Sequence, residues 1–371
     1  MFPRLYSTIA IDAGPVSVAM CQLQRGRGGV CVHRRAVMED PLRCIGDELQ
    51  AAEARTQRTL RLIEQGGFRG ADASVALKPP DVAFFPARLP DSVTSASRSQ
   101  CLTVLRFEAA RQAQCPPDAL EVDFWPLPPG NRMGNNVLIV SVQQSVVERW
   151  TNFCAEIGLR LTRVDVAPCA FTRLMRRRAV EGGTEDRALW GILDMGHAHA
   201  TLTIGMGVTA VYVRPISVTG ATYTQAICGA LSIDFPTAEM LKRRYAPRPA
   251  AVAVPASGTP PGETPRGQRW TDAMAELTAA LEPVLRTRHR ALAAEVERAF
   301  SYVMESYPDA PPGALYLCGG GGRLAGLGEA LTDALGVEAT LLDPALAGVR
   351  SDSGALAGIA TCVGLALGDF E

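Results

Sequence analysis

The feature that most constrains the fold is a pattern that occurs twice: an apolar strand, the turn Asp-x-Gly, and a second apolar strand. The first copy is IAIDAGPVSVAM at 9–20, and the second is GILDMGHAHATL at 191–202. A third, glycine-rich turn at 319–322 follows the late apolar run LYLC. One such turn is usually structural, but the repeat predicts a duplicated α/β core. Acidic turns after strands also suit nucleotide phosphates and their metal ion.

The composition is that of an ordinary globular protein and disfavours several functional classes. The 371 residues carry a net charge of −1, with 47% hydrophobic and 20% charged residues, so we expect two or more domains. No basic stripe suggests nucleic-acid binding, and RLMRRR at 173–178 is interpreted as a solvated helix end. The ten cysteines form no CxxC pair or zinc pattern, which indicates reduced thiols in a cytosolic protein. We expect no signal peptide and no membrane-spanning run of ~18 apolar residues.

The order of apolar runs and proline-rich stretches predicts four parts. These are a first α/β subdomain at 1–77 and 137–187 with a C-terminal helix at 355–371, a small inserted α+β subdomain at 78–136, a second α/β subdomain at 188–232 and 310–354, and a helical subdomain at 233–309 with a Pro-rich loop at 246–268.

Periodicity within these parts predicts individual elements. We expect helices at 56–65, 97–114, 223–245 and 284–305, and a buried strand VLIVSV at 137–142 that returns the chain to the first subdomain.

Two acidic turns followed by a late glycine turn match the order of the phosphate and adenosine loops of the actin-like ATPase superfamily. Within it the chain resembles the FtsA/PilM branch, and most closely the PilM family of type IV pilus assembly proteins. The stretches that carry the resemblance are IAIDAG, 138–171, GILDMG, 212–227, 237–245, 293–308 and 315–336, with RLP at 88–90 and 107–127 in the insertion. The resemblance implies an α/β, actin-like (ribonuclease H-like) fold of duplicated domains with a nucleotide cleft between them.

The resemblance also implies roles for individual residues around ATP and Mg²⁺. Asp12 and Asp194 would face the metal, usually through water. The other implied nucleotide-binding residues are Gly14, Ser17, Gly196, Gly220, Glu239, Lys242, Gly319, Gly320, Gly321 and Arg323. Among these, the glycines would allow close approach of phosphate and base. Glu239 and Lys242, three residues apart on a helix, would grip ribose and base.

Several positions depart from the family pattern. Pro15 and Val16 stand where hydroxyl residues usually follow the first turn, and proline has no N–H for a phosphate. This loss of a donor is expected to weaken binding by ~1.5–3 kcal/mol. In the second turn Ala200 replaces a common threonine, and a one-residue shift turns Thr201 toward the opposite face of the strand.

No residue is predicted with a clear catalytic role. Gln143 and Gln144 fall near the place where the superfamily positions its hydrolytic water, although surface positions would explain them equally well. His197 and His199 could chelate a metal, but exposed turn histidines are the preferred interpretation. We therefore expect at most a slow ATPase.

The favoured function is a cytoplasmic scaffold that binds nucleotide, held at the inner membrane through a partner. In the family that partner is the cytoplasmic N-terminal peptide of a PilN-like membrane protein. Further partners to consider are other pilus platform and motor proteins, or further copies of the chain in a homo-oligomer. The alternatives are a self-polymerising, FtsA-like filament protein and, less favoured, a small-molecule kinase of the same superfamily, which needs a stronger phosphate loop.

Overall fold

The computed structural model of the chain describes residues 5–40, 48–90, 97–182, 187–245, 266–351 and 356–371. Its strands are β1 (Ile9–Ala13), β2 (Ser17–Gly26), β3 (Gly29–Glu39), β4 (Asp72–Leu77), β5 (Val82–Ala87), β6 (Leu120–Pro126), β7 (Val137–Gln143), β8 (Arg160–Val166), β9 (Leu189–Met195), β10 (Ala200–Met206), β11 (Thr209–Ile216), β12 (Pro312–Cys318) and β13 (Ala339–Leu341). Its helices are α1 (Glu48–Glu64), α2 (Arg98–Ala113), α3 (Gln144–Glu156), α4 (Ala167–Gly182), α5 (Gly220–Leu231), α6 (Phe235–Arg244), α7 (Arg266–Ser306), α8 (Leu327–Leu335) and α9 (Ala360–Leu367).

Two five-stranded sheets repeat one plan. Their strand orders are β3-β2-β1-β4-β8 and β11-β10-β9-β12-β13. In each sheet three antiparallel strands are followed by two parallel ones. The Asp-x-Gly turn joins β1 to β2 in the first sheet and β9 to β10 in the second. The duplicated α/β core predicted from the sequence is confirmed.

One apolar core connects the two sheets through α4 and α9. It includes Cys21 from the first sheet, Ile192 from the second, Phe171 from α4 and Val363 from α9, each at most 1% exposed. Sheets pack on apolar helices because burying these side chains removes their surface from water. The two halves therefore share buried side chains on one side of the cleft described below.

A third, three-stranded sheet forms the insertion and differs from the predicted boundary. Its order is β5-β7-β6, with α2 packed through Leu105 and Ala109 against Ile139 of β7. The strand at 137–143, expected to return to the first subdomain, is thus the central strand of the small sheet. Only after it, with α3 and β8, does the chain rejoin the first sheet.

The helices differ from the sequence predictions in two ways: two are longer than predicted, and one predicted helix is divided into two. The helix expected at 56–65 extends over Glu48–Glu64, and the one expected at 284–305 lies within Arg266–Ser306. The segment 223–245 forms two helices, because Ser232 adopts a left-handed conformation with φ 55°. Most of the predicted Pro-rich loop, 246–265, lies outside the described residues, and 266–268 already belong to α7. Among the described helices none has the length and apolar character to cross a membrane.

Candidate functional site

A large cleft of about 1160 Å³ lies between the two halves. All twelve sequence-predicted binding residues line it: Asp12, Gly14, Ser17, Asp194, Gly196, Gly220, Glu239, Lys242, Gly319, Gly320, Gly321 and Arg323. The volume is somewhat larger than the ~300–1,000 Å³ of typical small-molecule sites. The topology therefore brings together residues that are more than 300 positions apart in sequence, while their individual roles remain predictions.

The two Asp-x-Gly turns have matching backbone geometry. The Gly14 amide donates to the Ser17 carbonyl at 2.8 Å, and the Gly196 amide donates to the His199 carbonyl at 2.9 Å. The flanking strands pair in equivalent registers, with Asp12 opposite Ala19 and Asp194 opposite Thr201. The two turns are therefore structural copies of one strand–turn–strand geometry, although the first copy lacks one N–H at Pro15.

Thr201 occupies a different place from the one the sequence suggested. It lies directly across the β9–β10 pair from Asp194 and lines the cleft. Directly opposed residues of an antiparallel pair share a face of the sheet. The prediction that Thr201 turns away from the site is therefore wrong, and Ala19 is its counterpart in the first half.

Lys78, which the sequence analysis did not single out, links the two predicted metal-facing carboxylates. It directly follows β4, and its Nζ lies 2.8 Å from Asp12 Oδ2 and 2.7 Å from Asp194 Oδ2. Burial disfavours its charge, but the two carboxylates hold the pKa of Lys78 above its ordinary value. The side chain is 25% exposed and lines the cleft. The signal that could have revealed it is the duplication, because the corresponding turn after β12 is the predicted adenosine loop.

A magnesium ion held by both aspartates does not fit this arrangement. The Lys78 ammonium lies between the two carboxylates, at hydrogen-bonding distance from an oxygen of each. Over the described residues, no group of three or more His, Cys, Asp and Glu side chains is placed to hold a metal. The two carboxylates predicted to face Mg²⁺ are ion-paired with a cation supplied by the chain itself.

Glu239 and Lys242 lie at the cleft but are bonded within the protein. Lys242 Nζ donates to Gly220 O, Thr224 Oγ1 and Glu239 Oε2 at 2.6–2.8 Å. Burial disfavours the Glu239 charge, yet hydrogen bonds from Arg243, Lys242 and Thr224 lower its pKa to about 2. All three N–H donors of Lys242 are used. In this conformation the pair joins α5 to α6 and leaves Lys242 no donor for a ribose or base.

Glycines at the second half of the cleft permit close backbone contacts. Gly319 has φ +74°, and a Cβ there would lie 2.5 Å from Met195 O and 2.9 Å from Asp194 Oδ1. A Cβ on Gly220 would lie 3.0 Å from Gly196 O. Gly320 differs, because a Cβ there meets nothing within 4 Å. The first two positions thus pack the turns together, whereas Gly320 borders open space in the cleft.

Two arginines and a histidine also line the cleft. Arg323 is exposed and lines the cleft. Arg243 on α6 pairs at 2.8 Å with Glu39, the last residue of β3, and so links the two halves across the cleft. His197 is partly buried, which lowers its pKa, and its ring packs edge-on against Phe235.

The predicted water-positioning glutamines lie elsewhere. Gln143 ends β7 and Gln144 begins α3; both are exposed, and neither lines the cleft. Gln144 instead borders a second, shallow groove of about 360 Å³ between β6 and α3. The other residues of this groove are Glu121, Val147, Glu148, Thr151 and Asn152. The interpretation of these glutamines as ordinary surface residues is the one that fits.

Comparison with known proteins identifies the relatives of the chain. Residues 10–249, more than half of the chain, match the family model described as type IV pilus assembly protein PilM. A solved PilM-PilN type IV pilus biogenesis complex superposes with a TM-score of 0.74 at 22% identity, covering 98% of this chain and 99% of that chain. No curated protein matches the chain.

Two further solved structures show how widely the fold occurs. The ethanolamine utilization protein EutJ from Carboxydothermus hydrogenoformans has a TM-score of 0.52 at 14% identity over 99% of this chain and 90% of that chain. A diol dehydratase-reactivating factor in nucleotide-free form has a TM-score of 0.53 at 12% identity over 99% of this chain and 100% of that chain. Together with the duplicated sheets, these matches confirm the actin-like fold.

Proposed function

Because the chain belongs to the type IV pilus assembly protein PilM family, we propose that it is an actin-like scaffold of the pilus assembly platform. In this proposal the interlobe cleft binds ATP, and a surface of the first half binds the cytoplasmic N-terminal peptide of a PilN-like membrane protein. The membrane partner holds the scaffold at the inner membrane from the cytoplasmic side. The relative in the PilM-PilN complex motivates the partner.

The observation that carries the nucleotide proposal is the convergence of three turns on one cleft. The turns at Gly14, Gly196 and Gly319 come from different parts of the chain and border the same space. Turn amides favour phosphates, and the missing Cβ atoms leave room for a flat base. The glutamines predicted to position a hydrolytic water lie outside the cleft, so we propose binding with slow or no turnover.

Gly320 gives a clean steric test of the nucleotide proposal. Its backbone is helical, with φ −63° and ψ −37°, and a side chain there would extend into open space rather than into protein atoms. We expect Gly320→Leu to fold normally and to lose binding of a fluorescent ATP analogue. The matched control is Gly229→Leu, because Gly229 is exposed on α5, away from the cleft, and also has space for a side chain. Unchanged binding by Gly320→Leu would refute the proposed site.

The partner surface is proposed at the small sheet and α3. β5 and β6 are the edge strands of the small sheet, and β6 borders the shallow groove against α3. An extended peptide can pair with such an edge, while pockets receive its side chains. The groove contains the acidic residues Glu121 and Glu148. Cytoplasmic segments beside a membrane helix are rich in Lys and Arg, and a peptide of that composition would complement the charge of the groove.

A charge reversal tests this surface. A labelled peptide from the N-terminus of the PilN-like protein encoded with this chain is titrated with the protein, and binding is followed by fluorescence anisotropy. We expect Glu148→Arg, at an exposed position, to weaken binding by about two- to tenfold, and more at low salt than at high salt. Glu297→Arg is the control, because Glu297 is also exposed, lies on α7 and does not border the groove. Equal affinities of both variants for the peptide would exclude the groove as its binding surface. Absence of any peptide binding would refute the proposal of a PilN-like partner.

A further inference from the structure

We infer that the ammonium group of Lys78 takes the place of the divalent cation in the cleft, so that phosphate groups bind here without a metal ion. The cation part of this inference stands on the geometry of three side chains. The phosphate part rests on the nucleotide function proposed above. The two parts are tested by separate measurements.

The positions of the three side chains provide the first argument. Asp12 and Asp194 come from equivalent strands of the two halves, and both place an Oδ2 atom within 2.8 Å of Lys78 Nζ. Asp194 is 5% exposed, so an unpaired negative charge there would be costly. A divalent cation shared by both carboxylates would have to displace the ammonium and leave it close to a second positive charge. The chain thus supplies the neutralising charge internally.

The choice of residue provides the second argument. The chain contains 37 basic Lys and Arg residues, of which Lys78 and Lys242 are the two lysines. Both line the cleft. Lysine carries a compact point charge, whereas the guanidinium of arginine is planar and wide. The chain has arginine at 35 of its 37 Lys and Arg positions, and one of its two lysines stands where a small cation must fit between two carboxylates.

The two lysines are nevertheless engaged differently. Lys242 gives its three N–H donors to Gly220, Thr224 and Glu239. Lys78 has Asp12 and Asp194 as its charged partners, and its side chain remains partly exposed to the cleft. An ammonium has three donors, so a third N–H remains for a phosphate oxygen. Lys78 is therefore placed to bridge two protein carboxylates and a ligand phosphate, as a metal ion would.

Manganese alone tests the cation part. Binding of Mn²⁺ to the full chain is followed by electron paramagnetic resonance. We expect the unaltered chain to bind no more Mn²⁺ than Asp194→Asn does. We expect Lys78→Met to gain one site, because it frees two adjacent carboxylates, and Lys78→Met/Asp194→Asn to lose that site again. A Mn²⁺ site in the unaltered chain that Asp194→Asn removes would overturn the inference, and so would a Lys78→Met chain that folds but binds no Mn²⁺.

The Mn²⁺ experiment has a second readout in case Lys78→Met is unstable. The two unpaired carboxylates of Lys78→Met should lower its thermal unfolding midpoint, and Mn²⁺ should restore part of the lost stability. The midpoint of the unaltered chain should not respond to Mn²⁺. An equal response of both proteins would overturn the inference.

A fluorescent ATP analogue tests the phosphate part. We expect the unaltered chain to bind it with equal affinity in Mg²⁺ and in EDTA. Lys78→Met should lose about ten- to a hundredfold in EDTA, as for a lost charged hydrogen bond, and recover in Mg²⁺. Loss of binding by the unaltered chain in EDTA would overturn the inference. If the analogue binds in neither buffer, the proposed nucleotide function fails, while the Mn²⁺ result still decides the role of Lys78.

Discussion

Replacing His289 with glutamine should remove a defined part of the pH dependence of folding. His289 lies on α7 and is 4% exposed. Its Nε2 faces the Ala325 carbonyl at 3.1 Å, and its Nδ1 faces the Tyr223 hydroxyl at 3.0 Å. A carbonyl only accepts, so in the neutral imidazole Nε2 carries the proton and Nδ1 accepts from the tyrosine. Burial disfavours the charged ring and lowers the pKa of His289 from 6.5 to about 4, so the imidazole is neutral in the folded chain near pH 7.

The sign and size of the effect follow from this shift. Above pH 6.5 the ring is neutral in both folded and unfolded chains, and it adds no pH dependence. As the pH falls below 6.5, the unfolded chain takes up a proton that the folded chain cannot, so stability is lost until about pH 4. The linkage relation gives a loss of about 2 kcal/mol at pH 5 and about 3 kcal/mol at pH 4.

The measurement compares free energies of unfolding in urea for the unaltered chain and His289→Gln between pH 8 and pH 4.5. Glutamine cannot titrate, but it can donate to Ala325 and accept from Tyr223. Other titrating groups, including the partly buried His197, contribute to both proteins and cancel in the difference. The variant should gain about 2 kcal/mol relative to the unaltered chain as the pH falls from 8 to 5. A difference that stays constant with pH would refute the buried neutral histidine.

Two further predictions concern local packing and capping, and unfolding in urea measures both. Gly364 on α9 lies so close to α4 that a Cβ would be 2.2 Å from Ala170 O, so Gly364→Ala should destabilise by about 1–3 kcal/mol. Its matched control, Gly229→Ala in open space on α5, should stabilise by about 0.5–1 kcal/mol, and the same sign for both would contradict the close helix contact. Ser97 caps α2 by accepting from the Gln100 amide, so Ser97→Ala should cost about 1 kcal/mol, whereas the neighbouring Ser99→Ala should cost less.

Local sequence chemistry predicts an element boundary when neighbouring residues carry a recognisable capping or turn signature. The helix predicted at 97–114 forms as Arg98–Ala113 because Ser97 and Gln100 make a capping box and Gln114 adopts the left-handed cap conformation. The three turns of the cleft were also found, since each couples an apolar strand to a glycine. The break between α5 and α6 was missed, because Ser232 at φ 55° has no apolar signature.

Features that depend on distant pairing could not be predicted from local patterns. The strand at 137–143 is apolar enough for either sheet, and only its partners β5 and β6 assign it to the insertion. Lys78 was missed because a lysine after a strand has no local meaning until Asp12 and Asp194 surround it. Thr201 was misjudged because its face depends on the register with Asp194. In each case the deciding partner lies far away in the chain.

The strand order of the small sheet has a consequence for how the chain folds during synthesis. β5 and β6 pair with β7 rather than with each other, and β7 is the last of the three to be made. At ~5–20 residues per second, the ribosome leaves β5 without a partner for about 3–11 s and β6 for about 1–3 s. Through that interval each has two open edges that other strands can pair with. The insertion therefore completes as a unit when β7 emerges, and a chain truncated before residue 137 would expose two unpaired strands instead of a small domain.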